Sequence, residues 1–563
     1  MKRRLYQKFV AMALTGTMAI GMLTGCGSSQ ETAAPAEEST AADSAKSAES
    51  TEAADSADAQ EQDSSSPYTD YSGGFPETVT IQIPVYDRAF EGWNVTDNTY
   101  TQWIQKEFGD KYNVNVEYVA VGRSTEVADY MQMLSAGNAP DIIMHYDMPQ
   151  AVNYYSEGAM QALDLDEIAY YAPTYYANMK DTIDTYGEMD GENYFFFANR
   201  PTYYYNWVTL IRQDWLDAVD ADMPESMEEL NEVAAKWKDA GVGTLGERLL
   251  INNFTYYYPF IGSSVDEKEL ALYSDLAVAP LTWSATEAYL KNLNYQYNNG
   301  LTNPEFYLID DDAKWKADFV SGKVGTYSFY ITSGTDTISS LLANDADAKV
   351  SVMNTWAGVP EGNNSYYYEY PPYGMIMGIN SDCTDEQREA VWMFLEWMSQ
   401  SDNLFKLQNG VEGESYTLDD NGLAIPVDGY TGEWKRSDNN NKDYWCLVVE
   451  AAVYDDDELT YQSRLRDLAP SGYEYLIADS KNYFDTYAQY GLINTAYTKT
   501  IEASAENAED LKKLWQELYV DCATCSEADF DAIYQEACQT YLDAGYQDIL
   551  DEKQALYDEG STK

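Results

Sequence analysis

Hydrophobic and polar residues alternate where folded sequence begins. Residues 79–85 (VTIQIPV) place Val and Ile at every second position, which predicts a strand. The pattern then predicts a helix over about 99–108, a strand over 114–119, a helix over 126–135 and a strand over 140–144. Such alternation predicts an α/β fold with a mainly parallel sheet, and these sheets bind ligands at the carboxyl ends of their strands.

A second α/β unit is predicted from Trp207, where three of residues 208–211 (VTLI) are apolar. The sequence Ser226-Met227-Glu228-Glu229 has the S-x-x-E form of a capping box before a helical pattern. Residues 384–387 (TDEQ) repeat that device, and residues 511–518 show helical spacing of Leu and Trp. The chain therefore has the material for two α/β units and further helices.

The first residues have the pattern of an export signal. Basic residues precede an apolar run from Phe9 that ends in Leu23-Thr24-Gly25-Cys26, which resembles a lipobox. We predict that residues 1–25 are a signal peptide and that Cys26 is lipidated, as by palmitate. Residues 26–67 contain Ser, Ala, Thr, Glu and Asp in excess, so they are predicted to form a disordered acidic tether. We expect a bacterial lipoprotein outside the cytoplasm that contacts the cell membrane through its lipid anchor only.

The net charge of the chain limits the kinds of molecule that it can bind. The chain has 563 residues and a net charge of −61, with 34 basic and 95 acidic residues. Nucleic acid is excluded as a partner because binding to it requires clustered Lys and Arg. An anionic ligand is disfavoured unless a local arginine receives it.

Catalytic patterns are weak in this sequence. One histidine, His145, leaves few Ser-His or Cys-His schemes, and neither G-x-S-x-G nor a phosphate-binding G-x-x-x-x-G-K-[ST] occurs. Cys522 and Cys525 form a C-x-x-C without a second pair, which favours a disulfide or two thiols over zinc. The acidic runs 310–312 and 419–422 lack the full order of an EF-hand, which favours solvated loops. We predict that the protein is not an enzyme and that it binds no cofactor and no metal.

Tyrosine is the distinctive residue type. The chain has 51 Tyr, with runs at 203–205, 256–258 and 366–368. Tyr and Trp stack on sugar rings and bond hydroxyls at their polar edge, although any single ring is more often a packing residue. Taken together, the aromatic residues favour a carbohydrate ligand.

Four segments resemble the extracellular solute-binding proteins of family 1, which serve ABC importers, and in particular the longer LplA-like lipoproteins. They are 136–142 (AGNAPDI), 210–216 (LIRQDWL), 319–325 (FVSGKVG) and 410–416 (GVEGESY). The resemblance implies a periplasmic-binding-protein-like fold, with two α/β lobes joined by hinge crossings and a ligand cleft between them. It implies a first lobe of 75–205 plus 334–384 and a second of 206–333 plus 385–555. The ligand would favour the closed state, which then docks on the permease.

The resemblance also assigns ligand-binding positions after strands and at crossings. From the first lobe and its crossings these are Asp87, Trp93, His145, Tyr146, Asp147, Tyr205 and Tyr373. From the second lobe and the late insertion they are Tyr256, Trp283, Tyr330 and Trp434. His145 has two interpretations, a bond to a ligand hydroxyl or a purely local role at a strand end.

We therefore expect a monomeric, lipid-anchored receptor of an ABC importer that captures an oligosaccharide. Three alternatives stay open at this point. The first is a receptor for a peptide or another small solute, such as a sugar acid, because lobed binding proteins share one fold across many ligands. The second is a lipid-anchored glycoside hydrolase. The third is a sensory subunit that feeds a membrane kinase and differs from an importer receptor only in its partner.

Overall fold

The structure is a computed structural model of the chain, and it describes nearly all of the sequence after residue 65. The described residues are 66–201, 207–246, 258, 260–262, 264–274, 277–309, 312–330, 334–353, 366–435 and 441–563. The predicted signal peptide, Cys26 and the predicted tether up to residue 65 lie outside them. Residues 67–563 form one compact unit.

The described residues contain fourteen strands. They are β1 (Val79–Asp87), β2 (Val114–Gly122), β3 (Ile142–His145), β4 (Glu188–Met189), β5 (Glu192–Asn193), β6 (Phe196–Asn199), β7 (Trp207–Arg212), β8 (Thr326–Tyr330), β9 (Val350–Met353), β10 (Tyr367–Tyr368), β11 (Tyr373–Ile379), β12 (Tyr416–Leu418), β13 (Ala424–Pro426) and β14 (Gly491–Leu492).

Helices make up the larger part of the ordered structure. In the first 400 residues they are Thr99–Ile104, Asp110–Tyr112, Glu126–Ala136, Met148–Ser156, Leu165–Tyr171, Pro173–Tyr186, Gln213–Ala218, Met227–Ala240, Glu267–Tyr273, Ser284–Asn298, Asp312–Val320, Gly334–Asn344 and Asp385–Ser399. After them come Ser401–Asn409, Lys442–Trp445, Asp457–Asp467, Tyr475–Tyr487, Glu502–Thr524, Phe530–Tyr541 and Gln547–Asp558. Two π-helical segments, Gln105–Gly109 and Leu542–Tyr546, continue neighbouring helices.

The first lobe is built on two sets of strands. β1 and β2 are parallel, with Val79 opposite Val114 and Asp87 opposite Gly122. β11 pairs with β3 on one side and β6 on the other, both antiparallel. The sequence predicted a mainly parallel sheet in this lobe, and that prediction is wrong for the strands around β11. The reason is that β11 returns from the second lobe and inserts between two first-lobe strands, so no βα crossover fixes its direction.

The second lobe has a three-stranded antiparallel sheet in the order β8-β7-β9. Its two faces bury different side chains of β7. Val208 and Leu210 face a large core with the helices between residues 284 and 549, whereas Ile211 packs with Trp215 and Trp237 in a smaller one. This alternation is the period-2 burial expected of a strand covered on both sides.

The hydrophobic cores divide the chain differently from the predicted lobe boundaries. Residues 338–352 pack in the second core, because β9 pairs with β7. Residues 390–398 and 444–449 pack in the first core, because the helix Asp385–Ser399 covers the sheet there. The chain therefore crosses between the cores after β6, before β11 and again between about residues 449 and 468.

Both predicted helix starts are present. Ser226 Oγ accepts the backbone N–H of Glu229 at 3.2 Å, although the Glu229 carboxylate bonds the N–H of Glu225 instead of that of Ser226. Thr384 and Gln387 form the complete reciprocal capping box. Among the described residues, no helix is both long enough and apolar enough to cross a membrane.

Candidate functional site

Two exposed carboxylates mark the carboxyl edge of the first-lobe strands. Asp87 is the last residue of β1, and its side chain accepts the N–H of Ala89 at 2.7 Å. Asp147 follows β3, and its side chain is 77% exposed. The chain after β2 meets β1 here, since the N–H of Arg123 donates to the carbonyl of Asp87. The predicted residues Asp87 and Asp147 therefore lie at one edge, where sheets of this kind bind ligands.

His145 is held by bonds within its own lobe. Its Nε2 lies 2.9 Å from Glu126 Oε1, and its Nδ1 accepts the backbone N–H of Asp147 at 2.9 Å. An accepting Nδ1 assigns the proton to Nε2, which donates to the carboxylate. Both ring nitrogens are thus used, and the side chain is only 6% exposed. Of the two interpretations of His145, this geometry favours the local one.

Arg123 connects the ends of the three strands. It donates to Glu126 at 2.8 Å, and its guanidinium lies 5.1 Å from the ring of Tyr86 and 5.0 Å from that of Tyr146. Although burial opposes it, the bond from His145 and the charge of Arg123 keep the pKa of Glu126 below its usual range. We call Asp87, Arg123, Glu126, His145, Tyr146 and Asp147 the strand-end group.

Tyr146 lies beside a segment that returns much later in the sequence. Burial raises the pKa of Tyr146 well above its usual range, and the nearby carboxylates of Glu450 and Asp443 add to that shift. Its hydroxyl has no hydrogen-bond partner among the described residues. Residues 443–450 therefore pass directly behind the strand-end group.

A second set of aromatic side chains, the aromatic group, surrounds Tyr100. The Trp434 ring lies edge-on to Tyr100 at 5.1 Å, and the rings of Trp93 and Tyr444 lie 6.4 Å and 6.0 Å from it. Trp93 and Trp434 are both partly exposed. Tyr444 is fixed by Asn98, which donates to its hydroxyl at 2.6 Å. The structure thus brings together Trp93 and Trp434, which are more than 300 residues apart in sequence.

The third set, the crossing group, lies where the chain leaves and re-enters the first lobe. Arg200 follows β6, and its N–H donates to the carbonyl of Pro372 at 3.0 Å, just before β11. Its guanidinium pairs with Glu450 at 3.1 Å and stacks 5.1 Å from the ring of Tyr370. Tyr373 completes the group. Its ring is buried against Phe197, at 4.7 Å.

Tyr373 shows how the crossing group and the strand-end group meet. Burial raises the pKa of Tyr373, Asp147 adds to the shift and Arg200 opposes it. The carboxylate of Asp147 therefore lies within electrostatic range of Tyr373. Asp147, from the strand-end group, and Tyr373, from the return crossing, were both predicted site residues.

The side chains predicted to bind ligand from the second lobe are either buried in its core or not described by the structure. Trp283 is 1% exposed in the second core, where its Nε1 donates to Glu269 at 2.5 Å and its ring stacks on Tyr273 at 5.9 Å. Tyr330 ends β8 opposite Trp207, but its side chain is not among those described. Tyr205 and Tyr256 lie outside the described residues.

Sequence reasoning missed the charged partners that hold these groups. Arg88 makes two hydrogen bonds to Asp443, at 2.8 Å and 3.0 Å, and so ties the end of β1 to the segment behind it. Arg200 and Glu450 do the same for the crossings. A signal was available, because Arg88 and Arg123 directly follow β1 and β2 in a chain where basic residues are scarce.

Other candidate chemistry lies apart from these groups. The described residues hold no set of three His, Cys, Asp or Glu arranged for a metal ion, and Asp419 instead closes a turn by accepting the N–H groups of Asn421 and Leu423. Cys522 and Cys525 are free thiols, and burial raises the pKa of both. A separate cavity of about 550 Å³ near Phe405, Tyr416 and Tyr454 is lined by none of the predicted site residues.

Comparison with known proteins identifies the family to which this chain belongs. The sequence profile of the bacterial extracellular solute-binding proteins matches residues 103–409. The chain belongs to that family. This solute-binding protein is 22% identical over 397 residues to the polygalacturonan/rhamnogalacturonan-binding protein YtcQ of Bacillus subtilis (strain 168), a match that covers 68% of this chain and 73% of YtcQ.

Two further comparisons concern a lipoprotein and a solved structure. Lipoprotein LipO of Bacillus subtilis (strain 168) is 22% identical over 335 residues, which cover 54% of this solute-binding protein and 65% of LipO. The HMO-binding, ABC-transporter-associated solute-binding protein of Bifidobacterium longum infantis superposes with a TM-score of 0.61 at 12% identity, over 86% of this chain and 100% of that one. The fold is therefore the two-lobed fold of solute-binding proteins, as the family resemblance implied.

Proposed function

We propose that the protein is the lipid-anchored, extracytoplasmic receptor of an ABC importer, and that it captures an oligosaccharide by lobe closure and delivers it to the permease. Membership of the solute-binding family supports a binding role outside the cytoplasm. The names of YtcQ and of the HMO-binding protein support a saccharide as the solute. Similarity to LipO supports the lipid anchor at Cys26.

The observation that carries the proposal is the placement of Trp93 and Trp434. Both rings are partly exposed, and both contact buried Tyr100, in the helix that follows β1. An aromatic ring that its neighbours hold in place offers a rigid apolar surface to a pyranose, with little conformational entropy to lose. Asp87 and Asp147 add acceptors for hydroxyl groups at the same edge.

Closure would bring a ligand on this edge against the second lobe. The chain passes between the lobes beside Arg200 and Tyr373, so these residues lie at the base of the cleft. Ligand contacts made by both lobes exist only in the closed state, and the ligand therefore shifts the equilibrium toward closure.

Isothermal titration of the purified protein with neutral, acidic and peptide solutes tests the proposal. We expect heat with at least one oligosaccharide and no cleavage products after overnight incubation. Trp93→Ala and Trp434→Ala should each weaken binding about tenfold or more. The matched control is Tyr295→Ala, which removes a 44% exposed ring from a second-lobe helix and should leave binding unchanged.

Each other result decides between the alternatives. Binding of peptides alone would replace the saccharide with another solute, and released monosaccharides would make the protein a hydrolase. The anchor is tested by Cys26→Ala in cells, which should move the protein from the membrane fraction to the medium and abolish palmitate labelling. Cys383→Ala is the control, because that thiol lies within the first lobe.

A further inference from the structure

The arginine side chains beside the candidate site are each paired with a carboxylate of the same lobe. Arg88 is bonded through two nitrogens, in the bidentate geometry that is strongest for guanidinium and carboxylate. The three pairs and their shortest N–O distances are Arg88 with Asp443 at 2.8 Å, Arg123 with Glu126 at 2.8 Å and Arg200 with Glu450 at 3.1 Å.

These carboxylates are not available to exchange partners. The side chains of Asp443, Glu126 and Glu450 are 4%, 9% and 7% exposed. If a ligand carboxylate took over Arg88, the buried carboxylate of Asp443 would lose its counter-charge, which is strongly unfavourable. Arg88 is therefore committed to the fold, and Arg123 and Arg200 are each occupied by a carboxylate of their own lobe, although the Arg123 side chain is 38% exposed.

The exposed charges at the same edge are negative. Asp87 and Asp147 project from the ends of β1 and β3, and Asp147 is 77% exposed. A carboxylate accepts hydrogen bonds and donates none, so it suits sugar hydroxyls and repels a second carboxylate. Repulsion between groups at this edge acts within a screening length of about 8 Å at physiological salt.

Two lysines contact the aromatic group, and they are the cations that an acidic sugar would meet. Lys406 Nζ lies 4.7 Å from the rings of both Trp103 and Trp434, and burial lowers its pKa. Lys435 Nζ lies 6.0 Å from the ring of Trp93. Ring faces attract these cations only weakly, so the salt dependence of binding tests whether they meet an anionic ligand.

We infer that the saccharide captured at this edge is uncharged and that oligosaccharides rich in uronic acid are rejected. The inference rests on the proposed function and names the ligand class for the same site. Its physical basis is the difference between paired arginines and exposed aspartates: each arginine is paired with a carboxylate of its own lobe, while Asp87 and Asp147 are exposed. A neutral sugar can use those aspartates as acceptors, whereas a uronate is repelled by them.

The test is titration of the purified protein with neutral oligosaccharides and with oligogalacturonides of the same length, at 20 mM and 500 mM NaCl. We expect a neutral oligosaccharide to bind with an affinity that changes less than about twofold with salt, because no ligand charge is screened. Tight binding of an oligogalacturonide that weakens with salt would overturn the inference and keep the proposed function. Binding of peptides, with no saccharide of either kind, would overturn both.

Variants of the exposed aspartates give a second readout. Asp147→Asn should weaken binding of the neutral oligosaccharide about tenfold, because an acceptor oxygen becomes a donor. The melting temperature should not change, since the side chain is exposed. Asp181→Asn, at an exposed position of the helix Pro173–Tyr186, is the matched control. Equal affinities of the two variants for the oligosaccharide would show that Asp147 does not contact it and would overturn the inference.

Discussion

The carboxylate of Glu450 rests directly on the α-carbon of Gly374. A Cβ at position 374 would come within 1.6 Å of Glu450 Oε2, a distance that real side chains do not adopt. The same carboxylate pairs with Arg200 and with Lys442, at 3.1 Å and 3.6 Å. Gly374 therefore makes the space in which the ion pair between the crossings and the late segment forms.

Gly374→Ala should displace Glu450 from Arg200 and reduce the free energy of unfolding by about 2 kcal/mol or more, since overpacking and loss of a buried ion pair add together. Chemical denaturation of the purified variant measures this. Gly262→Ala is the control, because no atom of the described residues lies within 4 Å of a Cβ placed there, and the change should be neutral or mildly stabilising. Equal stability of the two variants would contradict the packing described here.

Glu450 also predicts a pH dependence. Burial opposes ionisation, but the charges of Arg200 and Lys442 outweigh it and lower the pKa of Glu450 below its usual value. A lowered folded-state pKa stabilises the fold above the unfolded pKa of about 4.3, and this stability is lost as pH falls through the folded value. Glu450→Gln should cost about 3 kcal/mol at pH 7. The difference from the unsubstituted protein should shrink below about pH 4, which thermal melts from pH 7 to pH 3 would show.

The pKa of Glu369 is shifted in the opposite direction from that of Glu450. Burial raises its pKa, and its carboxylate has no hydrogen-bond or ion-pair partner among the described residues. A raised carboxyl pKa means that the fold binds the proton more tightly, so this contribution is present at low pH and is lost as pH rises through the folded value. Glu369→Gln should therefore raise the melting temperature at pH 7 and leave it unchanged near pH 3. A decrease at pH 7 would reveal a stabilising role for the carboxylate.

Sequence alone predicted the parts of this fold that local chemistry determines. The alternation from Val79 predicted β1 and the burial of Ile81, Ile83 and Val85, and β1 is followed by the expected helix, β2, helix and β3. It did not predict that Pro84 and Tyr86, on the other face, are buried too. Thr384 and Gln387 start their helix because the reciprocal bonds involve only neighbouring residues. The family resemblance added the two lobes, which no local pattern contains.

The parts that sequence did not predict depend on long-range return of the chain. Nothing near Asp443 or Glu450 indicates that these residues pair with Arg88 and Arg200, more than 200 positions earlier. The indole ring of Trp283 is of the kind that stacks on sugars, but the second core surrounds it. Ring chemistry is the same in a cleft and in a core, and only the tertiary fold decides between them.

The last residues of the chain link the second lobe to the first. The backbone of Thr498 accepts the N–H of Asp190 at 2.8 Å, in the turn between β4 and β5, and Thr500 Oγ1 lies 2.9 Å from Ser156 Oγ. The chain terminus supports this segment, because Ser561 and Lys563 bond the backbone of residues 496–498. The same segment is held to the second lobe by Tyr497, whose hydroxyl donates to the carbonyl of Ala271.

Removal of residues 561–563 should therefore loosen this link. We expect the amide of Asp190 to exchange with solvent at least about tenfold faster, since its acceptor at Thr498 loses support. Hydrogen exchange read by mass spectrometry measures this on the peptide that contains β4 and β5. Lys563→Ala is the control, because it removes only the 3.8 Å ion pair with Glu188, at a partly exposed position where such pairs contribute little. If the truncation leaves exchange at Asp190 unchanged, the terminus does not support the contact between the lobes.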